Sequence, residues 1–542
     1  MDQKAEFQQK ELIDFLVHVN PYADEVVVHL DYQSDKGNKS IFPVLIKPGS
    51  VQKELEHADW NFHGRLMPDV TEHYNVPKYH RFDHEEEIEP LVILQRFDGL
   101  RSPEIDLLEE FRLYHNMFKL GSNPIRYYKY DRMGRELLVC TCSQNEVRIR
   151  RQYLHEFLAA KQYALLLCFV SHMTIDSEAL KDNLPDDFEE TKPFFYNVRV
   201  YYNNSPVKRE SSFSRLLGKH ITMPPSLDQC GIWPFYKEVF NYVSFVIDID
   251  PHGKSIEFTC NPDELSNFFG ANPGAPNFLT PVLFKEDVLQ KYYADDSKYE
   301  ITDYHVKCGY LWSLPIDRNV EGVVGVYLGD LGSRLDYEEQ EYWRRFNVES
   351  KGRISPVAWK RDFMATYAAP IEPAHRFIYI YNWFQDAHKE HYGFPLFRPL
   401  GKGDTHRLVS FRIPLSQGWN EFDEQITTLS KLLFESVNVH QLRDIDPDIP
   451  GNTGQVTVLG RYLENKTGLE QNPEYSFIKT IEALRHGISH TKGKKYFKCF
   501  DEAGYTPDDK ISYMRHLVDE AIYFVTWLEK LLIPEDLRAP RE

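Results

Sequence analysis

Residues 481–498 read IEALRHGISHTKGKKYFK. The spacing predicts a helix over Glu474–His486, stopped at Gly487, with a basic loop over Thr491–Lys498. Arg485, His486 and His490 fall at the helix end. Lys492, Lys494, Lys495 and Lys498 follow, with Tyr496 among them, and no acid stands between Arg485 and Lys498. In a chain of 542 residues with a net charge of −19, this is a local reversal of sign.

Three more helices are predicted around this one. Trp419–His440 carries Phe422, Ile426, Leu429, Leu433 and Val437 at steps of three or four, a single apolar stripe. Gln455–Asn465 follows the loop Asp444–Gly454. Asp508–Leu532 carries Ile511, Leu517, Ile522, Val525 and Leu528. Four amphipathic helices with short connections predict an antiparallel bundle over residues 417–542, with Gln417-Gly418 as its boundary.

Upstream the pattern changes, and the chain as a whole reads as α+β. Residues 1–330 read as a large mixed α/β region, a sensor or regulatory part. Strands are predicted at Glu25–Tyr32, Ile41–Ile46, Leu91–Gln95, Glu136–Cys142, Tyr242–Asp248, Ile256–Thr259 and Val323–Tyr327. Ser143-x-x-Glu146 has the form of a capping box and predicts a helix from Ser143 to about Val170. Residues 331–416 read as a mainly helical connecting segment, with helices at Tyr337–Phe346, from Ser355-Pro356, and at Pro373–Glu390, then a strand pair within Pro395–Leu415.

Composition narrows the function classes. Hydrophobic residues make up 42% and charged residues 27%, so a folded chain is expected. The longest apolar run, Tyr163–Val170, is far short of the ~20 residues of a spanning helix. The first twenty residues carry acids and no apolar h-region, unlike a signal peptide. Seven cysteines without a CxxC pair suit reduced thiols in a cytoplasmic protein, and Cys140-Thr-Cys142 suits a strand better than a zinc knuckle. No GxxxxGK[ST] or GxSxG motif occurs, which excludes a P-loop ATPase and a nucleophile elbow. The acidic balance opposes general nucleic-acid attraction, so any such contact must come from a local basic patch.

The residues around Arg485 suit RNA cleavage without a metal or other cofactor. The 2′-hydroxyl can attack the adjacent phosphorus if a group near neutrality moves protons, and histidine is such a group. An arginine fork can hold the charge that builds on the phosphoryl oxygens. Lys492, Lys494, Lys495 and Lys498 could hold backbone phosphates, and Tyr496 could stack on a base. On an ideal helix, positions five apart point roughly 140° away from each other. Arg485 and His490 therefore converge only if the helix loosens at Gly487, or across a two-fold axis between two copies.

Arg485-His486-Gly-Ile-Ser-His490 in a terminal four-helix unit resembles the HEPN family, whose ribonuclease motif is Arg, a polar residue, then three to five residues before His. The resemblance covers the last quarter of the chain. It implies a metal-independent endoribonuclease with Arg485 and His490 catalytic and His486 assisting, a homodimer through the bundle, and a place among prokaryotic toxins and antiviral effectors. A phage-derived or nucleotide activator would then act on the N-terminal region. Phe157–Gln162, Leu279–Tyr293 and Gly329–Val348 resemble segments of uncharacterised bacterial proteins that end in such a unit.

Other readings of the same residues stand beside this one. Cations in a last helical turn also stabilise the helix against its own dipole. The bundle would then serve a non-catalytic interaction or dimerisation protein. His486 and His490 are spaced i,i+4 as zinc-binding pairs are, but no HExxH glutamate lies between them and the neighbouring cations oppose a metal. Arg150–His155 and Arg215–His220 repeat the Arg-x4-His spacing outside any such bundle and read as structural. The acidic run His84–Glu89 reads as a solvated segment. The basic stretch Lys351–Arg361, with Arg344 and Arg345, reads as an exposed helix face or as a nucleic-acid or ligand surface that passes signals to the bundle.

Overall fold

The computed structural model describes residues 7–17, 23–56, 69–80, 88–95, 97–98, 100–175, 188–192, 195–201, 212–320, 322–349, 354–366, 368–401, 403–445, 453–469 and 473–539. His84–Glu87, Lys351–Arg353 and most of the Asp444–Gly454 loop lie outside these residues. A large sheet occupies the N-terminal part and helices the C-terminal part, so mixed α and β content holds. The chain divides into two compact units, Met1–Val239 and Phe240–Glu542. The boundaries expected near residues 330 and 416 both fall inside the second unit.

The first unit is built on an eleven-stranded sheet. Its centre is Ala164–Ile175, paired antiparallel with Gly37–Ile46 on one side and Ser212–Thr222 on the other. Glu25–Ser34, Glu146–Arg150, Glu136–Cys142 and Ile125–Tyr130 extend it beyond Gly37–Ile46. This corrects the single helix expected from Ser143 to Val170. Ser143 turns a hairpin, its N–H donating to the Glu146 carbonyl at 2.8 Å and its hydroxyl to the same oxygen at 3.1 Å. Val147 and Ile149 are buried while Arg148 and Arg150 face out, the two-residue period of a strand. Only Arg151–Lys161 is helical, closed by Gln162 in the left-handed conformation at φ 59°. Ala164–Phe169 is buried on both faces, and such an apolar run has no period to separate strand from helix.

The second unit opens with small sheets, among them Asp317–Val320, Val323–Tyr327, Pro281–Lys285 and Asn347–Val348 in that order. Its helical part then shares one core. Phe377, Tyr381 and Phe384 of the Pro373–Tyr392 helix belong to that core, together with Leu517, Phe524, Val525 and Leu528 of the Lys510–Leu532 helix. Glu372 starts the first of these by accepting from the His375 N–H at 2.9 Å, and Gly393 ends it at φ 83°. The helical core thus begins at Ala374, well before the expected residue 417. The strand pair expected within Pro395–Leu415 is also corrected. Phe397 makes one bridge to Val437, His406–Ser410 is helical, and Phe411 and Ile413 are buried in the helical core.

Three details shape the end of the bundle. The helix expected over Trp419–His440 runs as Trp419–Ser430, a π-helical turn Lys431–Glu435 and a separate Val439–Ile445 helix. The third helix runs Ser476–Ser489, straight through Gly487. The basic loop is largely a further helix, Lys494–Ala503, that buries Tyr496, Cys499 and Phe500. Phe500 lies 4.2 Å from the Tyr513 ring centroid and 5.6 Å from that of Phe422, and full burial of such a ring contributes roughly 2–3 kcal/mol. Gly487 does not loosen its helix. A Cβ there would collide with the Tyr496 ring, so glycine is needed for close approach.

Burial sets an acid limit on the helical part. His388 is fully buried, its Nδ1 2.8 Å from the Phe394 carbonyl. Desolvation lowers its pKa to about 4, against the raising effect of that hydrogen bond. The folded state therefore binds fewer protons than the unfolded chain between about pH 4 and 6.5. Its contribution is complete above about pH 6.5 and is lost as pH falls towards 4, a change of roughly 3 kcal/mol. In urea titrations across this window, His388→Asn, which keeps a donor near Nδ1, is expected to lose stability less steeply than wild type. Gly487→Ala is expected to cost about 1–3 kcal/mol at pH 7.

Candidate functional site

The Ser476–Ser489 helix turns Phe477, Ile478, Ile481 and Leu484 into the core, which leaves Arg485, His486 and Ser489 at its outer edge. Arg485 is half-buried. Its Nε donates to Glu435 Oε1 at 3.0 Å, and its Nη1 donates to the Ser489 hydroxyl. Ser489 stands four residues on, one turn along the same face. Glu435 closes the π-helical turn, and its Oε1 also lies 2.9 Å from the Ser430 hydroxyl.

His486 and His490 are both exposed, with ring centroids 4.5 Å apart and planes tilted by 43°. His490 caps the helix, its N–H donating to the His486 carbonyl at 3.2 Å before the chain leaves at φ −121°. The structure thus brings His486 to His490 and Arg485 to Glu435. Among the described residues, no hydrogen bond joins Arg485 to His490 within one chain. The helix continues through Gly487 to Ser489 and does not loosen at the glycine.

The basic residues divide into two groups. Lys494 and Lys495 are exposed at the start of the Lys494–Ala503 helix. Lys498 is exposed too and pairs with Glu502 at 2.8 Å, a bond that raises its pKa. Lys492 is committed elsewhere. Its ammonium meets Asp423 Oδ2 at 2.5 Å and sits 4.2 Å over the Trp419 ring. Tyr496 is a correction to the expected base-stacking surface. It is 1% exposed, and its hydroxyl donates to Asp423 Oδ1 at 3.0 Å. Burial, then the Asp423 charge, pushes its phenol pKa well above the usual value. The ring sits inside because the four-residue spacing Tyr496–Phe500 places both on the core face of an amphipathic helix.

Sequence reasoning missed Glu435, Ser489 and Asp423. Asp423 is one of three acids in Asn420–Gln425, and nothing in its spacing marks it as the partner of Lys492. Glu435, which meets Arg485, ends a π-helical turn, and such a turn leaves no signature in the residue pattern. Among the described residues no group of three or more His, Cys, Asp or Glu is placed to hold a metal ion. None of their helices is long and apolar enough to cross a membrane.

Removing Asp423 strands the buried Tyr496 hydroxyl and frees the Lys492 ammonium. Asp423→Ala is expected to lower unfolding free energy by about 2–3 kcal/mol. Lys494→Ala and Lys495→Ala are expected to stay within about 0.5 kcal/mol of wild type. Urea denaturation of the three variants separates the carboxylate that holds the fold from the lysines that face solvent.

No family model matches the chain, and neither a curated protein nor a solved structure matches it.

Proposed function

We propose that the protein is a metal-independent endoribonuclease of HEPN type, an effector of prokaryotic antiviral defence that acts as a homodimer and is switched on through its N-terminal region. The observation that carries this reading is the exposed imidazole pair His486/His490, adjoining in sequence an arginine whose guanidinium is fixed by Glu435. Two imidazoles 4.5 Å apart can share the two proton transfers of RNA cleavage. One takes the proton of the 2′-hydroxyl as its oxygen bonds to phosphorus. The other gives a proton to the 5′-oxygen as the P–O5′ bond breaks. The products are a 2′,3′-cyclic phosphate and a 5′-hydroxyl. Arg485 stabilises the negative charge on the phosphoryl oxygens during the displacement. With no hydrogen bond joining Arg485 to His490 within one chain among the described residues, the complete site combines residues of two copies across a two-fold axis. Lys494 and Lys495, which make no ion pair among the described residues, draw in the strand on either side.

A second reading has its own support. The bonds of Arg485 to Glu435 and Ser489 are also what a purely structural helix end would make. The bundle would then be an interaction or dimerisation module.

Incubation of the full chain with total RNA in EDTA, with and without candidate activators, separates the two. The ribonuclease reading expects cleavage that persists in EDTA and falls at least about 100-fold in Arg485→Ala and in His490→Ala. Equal behaviour of wild type and variants, in cleavage and in host-cell toxicity, overturns it in favour of the module.

A further inference from the structure

We infer that Glu435 is a positioning residue for Arg485, a statement that rests on the ribonuclease reading above. The carboxylate is built into place. The π-helical turn Lys431–Glu435 inserts a residue between the Trp419–Ser430 helix and Ser436, and such turns recur at functional sites. Gln455 Nε2 donates to the Glu435 carbonyl at 2.7 Å and fixes the backbone from the next helix. Ser430, fully buried, brings its hydroxyl to 2.9 Å from Oε1. The same Oε1 accepts from Arg485 Nε.

Magnitudes argue against stability as the reason for this arrangement. The two side chains are 27% and 30% exposed, and an ion pair open to water to that extent contributes at most about 1 kcal/mol. What the contact does supply is orientation. Glu435 takes the Nε edge of the guanidinium and Ser489 takes one Nη1 donor. Among the described residues Nη2 has no hydrogen-bond partner. A guanidinium held at Nε and Nη1 by the protein keeps its Nη2 donors for a phosphodiester oxygen without first losing side-chain freedom.

The test measures kcat and KM of the full chain on a defined RNA in EDTA, with thermal unfolding beside them. Glu435→Ala is expected to lower kcat about 100-fold, the cost of a misplaced group, with little change in KM. Glu435→Gln keeps an acceptor and nearly the same shape, and its loss is expected to be about 10-fold. It reports on the proposal even if the alanine variant folds poorly. In an Arg485→Lys background, which cannot make the Nε bond, Glu435→Gln is expected to have no further effect. The positioning role is overturned if wild type cleaves and Arg485→Ala does not, yet Glu435→Gln and Glu435→Ala cleave as fast as wild type. It is overturned equally if they cleave faster, for the carboxylate would then be a lock. A wild type that never cleaves RNA, with or without activators, overturns the ribonuclease reading and this inference together.

Discussion

Tyr496 packs onto the backbone of Gly487, and the end of the helical core takes its shape from that contact. The ring can come so close only because position 487 has no side chain. Once seated, its hydroxyl reaches Asp423, which also takes the Lys492 ammonium. One carboxylate on the Trp419–Ser430 helix thereby ties down the whole connection between the Ser476–Ser489 and Lys494–Ala503 helices. His490 and the exposed lysines are left on the outside of a fixed turn rather than on a loose loop.

The charge of this region is divided by that packing. Of the basic residues between 485 and 498, Arg485, Lys492 and Lys498 have acidic partners in Glu435, Asp423 and Glu502. Lys494 and Lys495 are exposed, four and five residues beyond His490. In a chain of net charge −19, a nucleic acid would be drawn to a surface of a few side chains, not to the molecule as a whole. Such binding would weaken only modestly with salt, because the slope scales with the number of phosphates neutralised and few side chains take part.

The residue pattern carried much of this architecture. Strands such as Glu25–Ser34 and Val323–Tyr327, and the helix from Pro373, follow from β-branched runs and from proline at a first helical position. What it could not carry was decided by tertiary surroundings. Ser143-x-x-Glu146 has the residues of a helix cap, yet the neighbouring strands make it a hairpin. Tyr496 looks available among lysines, but the core behind Gly487 takes it. The glycine read as a hinge is instead a place of contact. The Arg485 and imidazole pair were legible from spacing and charge. Glu435 was not, because a π-helical turn changes which way a residue faces without altering any local pattern.

The claim at the centre of this account is that the guanidinium and imidazoles near the carboxyl end act on an RNA phosphodiester. End-group analysis of RNA incubated with the full chain in EDTA tests it most directly. The account predicts fragments ending in 2′,3′-cyclic phosphate and beginning with 5′-hydroxyl, made by the wild type and missing with Arg485→Ala. Fragments bearing 5′-phosphate, or the same ends in equal yield from both proteins, would contradict it.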